Sequence, residues 1–95
     1  MKRIEYEGQN ISVWLNEMLD EAGILQADLA RMIGTTYKTV SLWNTGTAFP
    51  APSNAKLIVL SLAHIVNVDD KQQWQKEKLS VYNSIRQEYV KVRYR

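Results

Sequence analysis

Thr36, Tyr37, Lys38, Thr39, Ser41 and Leu42 occupy the outward positions of a short helical pattern. Val40 and Trp43, three residues apart, mark its inward side. These side chains suit the edges of a nucleic-acid duplex. The Lys38 ammonium can donate to guanine O6 and N7. The hydroxyls of Tyr37, Thr39 and Ser41 can bond to bases or phosphates, and threonine methyls can pack on thymine methyls. The first turn of such a helix is the part that meets base edges. Asn44 and Thr45 follow it directly and are candidate contacts to the sugar-phosphate backbone.

A side chain reads DNA only if something holds its helix clear of the fold. The preceding segment, QADLARMI, supplies that support. Leu29 and Ile33 lie four apart on one face. Ala30 is small enough for a second helix to cross closely. Gly34 provides the positive φ of a sharp helix exit, and the Thr36 hydroxyl can cap the next helix. The spacing predicts helices over 26–33 and 37–43. Two helices so joined leave the outer face of the second free to enter a major groove.

Together the residues Gln26, Leu29, Ala30, Ile33, Gly34, Thr36, Val40, Trp43, Gly46 and Pro50 resemble the lambda-repressor-like, Cro/Xre-type helix-turn-helix family. The resemblance covers residues 11–68. Its strength lies in the order of three features: Gln-x-x-Leu-Ala, the turn glycine, and Trp-x-x-Gly-x-x-x-Pro. Three positions depart from the family pattern. Thr35 stands where Val or Ile is usual, Leu25 where Ser or Thr caps, and Asn44 where Glu is common. The resemblance implies a homodimeric transcription regulator, most simply a repressor, on a palindromic operator. It also implies a phosphate contact from Gln26, aided by the dipole at the start of its helix. Family members of this size occur in phages, mobile elements and toxin–antitoxin operons.

Each candidate has an ordinary alternative. Thr36 serves as a cap whether or not it meets a phosphate. Tyr37 can lie on the surface, and Leu42 can close the core edge. Arg31 can pair with Asp28 or Glu17. Trp14, Trp43 and Trp74 are expected in the core. Tyr82, Tyr89 and Tyr94 can form a dimer patch, because aromatics are enriched in interface cores.

The charge is unevenly distributed. Residues 1–70 hold five Lys/Arg against eight Asp/Glu, a balance of −3, whereas residues 71–95 hold seven against two, +5. Affinity for nucleic acid rests mainly on cations near phosphates. The predicted recognition helix has only Lys38. The pool to draw on is Lys71, Lys76, Lys78, Arg86, Lys91, Arg93 and Arg95, with the last three as candidate DNA-backbone or dimer contacts. The other reading of this segment is a solvated helix face. The segment also supports an alternative function: an interaction scaffold or antitoxin-like protein that holds a protein partner through its aromatic, basic C-terminal segment.

Enzyme chemistry finds no foothold. His64 is the one histidine and sits within an apolar run, which reads as a core or boundary position. Asp20–Glu21 and Asp69–Asp70 are neighbours that do not face each other on a helix, and helix capping accounts for them. There is no nucleophile motif, no glycine-rich phosphate loop and no metal-ligand spacing. Neither a cofactor nor a metal is expected. No cysteine is present, which fits a cytoplasmic chain. MKRIEYEG lacks the apolar core of a signal peptide, and the run 57–66 is too short to span a membrane.

Ninety-five residues fit one domain, 1–95. So small a chain gains from a dimer partner. The expected architecture is all-α: a compact five-helix domain. Its first helix is capped by Asn10, carries Ile11, Trp14, Leu15, Met18, Leu19 and Ala22, and ends at Gly23. A fourth helix, capped by Ser53 and running to about Val66, is apolar around most of its circumference and is predicted to be the central core helix. Asp69 and Gln72 have capping-box spacing for a fifth, which runs to about Glu88 and opens the C-terminal segment, 69–95. Residues 2–7 and 90–95 alternate apolar and charged, which predicts two short strands that pair within one subunit or across a dimer. Glu5 and Glu7 would complement Lys91 and Arg93. The other outcome for these ends is two frayed tails.

Overall fold

The computed structural model describes residues 10–93, with side chains through residue 90. These residues form five helices: α1 (Ile11–Ala22), α2 (Gln26–Ile33), α3 (Tyr37–Asn44), α4 (Pro52–Ala63) and α5 (Lys71–Arg93). Local chemistry sets most boundaries. Asn10 Oδ1 accepts from Val13 N–H at 3.0 Å and opens α1. Gly23 closes it at φ 69°, where its N–H returns to Asp20 O. The α2 cap position is Leu25, which has no side-chain acceptor. Asp28 compensates from inside the helix, its carboxylate accepting the Leu25 N–H at 3.0 Å. That is half of a capping box.

The predicted fourth-helix cap is corrected. Ser53 does not cap it; Pro52 occupies the first turn, where a missing N–H costs nothing, and Ala51 precedes it. The helix stops at Ala63. The predicted fifth-helix cap also moves by one residue: Asp70 Oδ1 accepts the Gln73 N–H at 3.0 Å. His64 is exposed rather than buried, and its carbonyl accepts from Lys71 Nζ at 3.1 Å.

The core draws on every helix. Trp14, Leu15 and Met18 of α1 meet Ile58, Val59 and Leu62 of α4 and Trp74, Tyr82 and Ile85 of α5; Leu29 and Ala30 of α2 and Val40 and Trp43 of α3 complete it. All three tryptophans are buried, as their spacing predicts. The polar ends of large aromatics are satisfied across helices. Trp14 Nε1 donates to Lys78 O at 2.9 Å, and Trp74 Nε1 donates to Glu21 Oε2 at 3.0 Å. Glu21 also takes Lys78 Nζ at 3.0 Å, so it ties α1 to α5 rather than capping α1.

Residues 90–93 are helical, which overturns the predicted C-terminal strand. Six alternating residues are a weak signal. A helix already in progress extends at one hydrogen bond per added residue. Tyr89, stacked on Phe49 with ring centroids 4.4 Å apart, holds its later turns against the domain. The proposed partner strand, 2–7, lies outside the described residues. The fourth helix also departs from expectation. One face is buried, through Ala55, Ile58, Val59, Leu62 and Ala63, while Leu57 and Leu60 of its other face are each 41% exposed.

Candidate nucleic-acid interface

α2 and α3 are joined by three residues. Gly34 sits at φ 73°, the left-handed conformation that only glycine adopts without strain. Thr35 N–H then returns to Ala30 O at 2.9 Å. Thr36 is extended, and its hydroxyl accepts the Thr39 N–H at 3.1 Å. Leu29 and Ala30 pack inside against Val40 and Trp43. The short turn and the small Ala30 thus fix how α3 leaves α2.

The outer surface of α3 begins with three exposed residues: Thr36, Tyr37 and Lys38. Tyr37 is 58% exposed. Thr39, Ser41, Leu42 and Asn44 are half-buried and line the margin between this surface and the core. Leu42 is half-buried, so part of its side chain remains at the surface. The Thr36 and Thr39 hydroxyls lie 2.9 Å apart. Two hydroxyls sharing one bond use one proton and leave the other free. The pair thus offers one O–H donor outward while Thr36 still caps the helix.

Thr45 is exposed but differently engaged. Its hydroxyl donates to Leu42 O at 3.2 Å and lies 2.9 Å from the Thr47 hydroxyl. Its only side-chain proton is therefore used within the turn. Its N–H is bonded to Ser41 O. Thr45 closes α3 and has no donor left for a phosphate in this arrangement.

Gln26 and Asn44 share an unusual state. The side-chain oxygen of each is buried and has no hydrogen-bond partner. A buried unpaired acceptor costs about 1–3 kcal/mol. The two amides stand at opposite ends of the helix pair, Gln26 at the start of α2 and Asn44 at the end of α3.

Lys38 is the exposed cation of α3. Arg31, on α2, is paired with Asp28. Of the C-terminal pool, Lys78 is held by Glu21 and lies 5.7 Å from the Trp74 ring centroid, and Lys71 is bonded to the His64 carbonyl. Lys76 and Arg86 are exposed. Lys91 and Arg93 fall on the last turn of α5, with side chains outside the described residues, as is the whole of Arg95. The later turns of α5 pack on the loop that follows α3: the Tyr82 hydroxyl donates to Pro50 O at 2.6 Å, and Phe49 contacts both Tyr82 and Tyr89. Burial raises the pKa of Tyr82 above its ordinary value, and the Arg86 guanidinium acts in the opposite direction.

Sequence reasoning missed Phe49 and the role of Glu21. Both act through partners tens of residues away, and no local pattern announces such contacts. Of the three tyrosines read as a dimer patch, Tyr82 is buried, Tyr89 is half-buried and stacked on Phe49, and Tyr94 lies outside the described residues. Comparison of the chain with family models, curated proteins and solved structures finds no match.

Proposed function

We propose that the chain is a sequence-specific DNA-binding regulator of the lambda-repressor-like helix-turn-helix type. It acts as a homodimer on a palindromic operator, most simply as a repressor, with α3 in the major groove. The observation that carries this reading is the α2–Gly34–Thr36–α3 unit, whose second helix presents Thr36, Tyr37 and Lys38 to solvent. Lys38 reads a base edge. The Thr36–Thr39 pair and the amides of Gln26 and Asn44 fix register on the phosphates, contacts that position without carrying sequence information. Tyr37 and Ser41 flank Lys38 on the same surface. Cations in the C-terminal part of α5 add sequence-independent attraction.

The test is a mobility-shift assay on fragments of the source genome, including the chain's own promoter, at two salt concentrations. Retention of a few fragments that survives the higher salt supports the reading. Uniform retention that salt abolishes, or none at all, contradicts it. The scaffold alternative rests on the aromatic, basic C-terminal segment and on the acidic balance of residues 1–70; Tyr82 and Tyr89 of that segment pack on the domain itself.

A further inference from the structure

Given the DNA-binding reading, on which this rests, we infer that Arg86 is a phosphate-binding residue, set at the rim of the groove by the loop that follows α3. A helix that enters the major groove by its first turn leaves its last turn at the rim, beside the phosphates. The loop after α3 folds back on that last turn: the N–H groups of Thr47 and Ala48 both return to Leu42 O, at 2.9 and 3.1 Å. Directly afterwards the same loop meets α5. The Tyr82 hydroxyl donates to Pro50 O at 2.6 Å, and Tyr89 stacks on Phe49 with ring centroids 4.4 Å apart. Arg86 comes one helical turn after Tyr82 and three residues before Tyr89, so these two contacts bracket it.

The charge of Arg86 is not spent on an acidic neighbour. The residue is exposed, and the positions three or four away on its helix are Tyr82, Asn83, Tyr89 and Val90, none of them a carboxylate. Among the described residues it joins no ion pair. Its guanidinium lies beside the Tyr82 hydroxyl instead. A guanidinium carries five N–H donors, so one such contact leaves others for a phosphate, which arginine can take by two parallel bonds. Other cations are committed: Arg31 to Asp28, Lys78 to Glu21, and Lys71 to the His64 carbonyl. Lys76 is exposed like Arg86 but stands ten residues earlier, about 15 Å back along α5. Lys38 sits on the reading face itself. Arg86 is thus the cation that α5 brings to the loop at the end of α3.

The test is fluorescence anisotropy with two labelled duplexes, the chain's own promoter fragment and a random sequence, from about 50 to about 200 mM salt. Each phosphate neutralised on a duplex adds about 0.9 to the slope of log K against log salt. Arg86→Gln should therefore flatten that slope by about 0.9 per bound subunit, which is a roughly eightfold loss at 0.1 M salt. The loss should be equal on both duplexes, because phosphates carry no base identity. Arg86→Lys keeps the charge and should restore most of the slope, an effect that a purely structural role would not show. Lys76→Gln removes the same charge away from the loop and should move the slope far less. A slope unchanged in Arg86→Gln, or flattened as much in Lys76→Gln, would overturn the inference; tight binding to the promoter fragment would still leave the regulator standing. Equal affinity for both duplexes with an Arg86-dependent slope would sustain the phosphate contact and defeat sequence-specific regulation. Binding to neither duplex at the lower salt would defeat both.

Discussion

Gly34 and Gly23 form a matched pair that separates folding from function. Both end a helix in the left-handed conformation, at φ 73° and 69°. At both, a Cβ built on the backbone meets nothing within 4 Å. Substitution by alanine is therefore a conformational cost with no steric clash. Holding a non-glycine residue in that region costs about 1–2 kcal/mol. Gly23→Ala and Gly34→Ala should each lose that amount, a fall of roughly 4–8 °C in Tm per kcal/mol for a domain of this size. Urea unfolding followed by fluorescence of the three buried tryptophans measures it. The two variants should then part company. Relaxing that strain shifts the α1–α2 joint in Gly23→Ala but redirects α3 in Gly34→Ala, so DNA affinity at a temperature where both stay folded should fall for Gly34→Ala alone. Native stability in either variant would refute the backbone argument. Equal affinity losses in both would refute the claim that the α2–α3 turn positions the reading helix.

Lys38→Ala should lower affinity for the specific site by about 1–3 kcal/mol and relax preference at one base pair; an equal loss on every sequence would make Lys38 a phosphate contact. Tyr82→Phe removes the 2.6 Å bond to Pro50 O and leaves a buried carbonyl unpaired, so urea titration should register about 1–3 kcal/mol. Because burial raises the pKa of Tyr82 above 10.0, its contribution is intact below that value and is lost as pH climbs through the higher folded-state value. The alkaline fall in stability should therefore be shallower in Tyr82→Phe. Glu21→Ala leaves the buried Trp74 N–H without an acceptor and should cost about 1–3 kcal/mol. Glu21→Gln retains an acceptor, breaks only the half-exposed pair with Lys78, and should cost under about 1 kcal/mol in the same titration.

The elements that position the candidate site were the most legible in the sequence. α2 has the predicted bounds, and α3 runs one residue further than predicted. Their signals are local: Leu29 and Ile33 on one face, glycine at the exit, threonine at the cap. The C-terminal strand failed for a related reason. Its alternation covers six residues, and Tyr89 stacking on Phe49, forty positions away in the chain, supports the helix instead. For α4 the composition shows that the helix is apolar, but periodicity cannot say which side the rest of the chain covers. That depends on where α1, α2 and α5 lie. Glu21 was obscured in the same way, since Trp74 and Lys78 reach it from the far end of the sequence. Within the candidate site, the outward direction of Thr36, Tyr37 and Lys38 was readable. The internal commitment of the Thr45 hydroxyl was not, because it depends on the shape of one turn.

Enrichment of bound sites from a pool of random duplexes bears most directly on the claim that α3 is a DNA-reading helix. The account predicts recovery of a palindrome whose half-site centres lie one helical turn apart, about 10–10.5 base pairs, with one half-site position losing its preference in Lys38→Ala. Recovery of no shared sequence, or of one that Lys38→Ala selects unchanged, would contradict it.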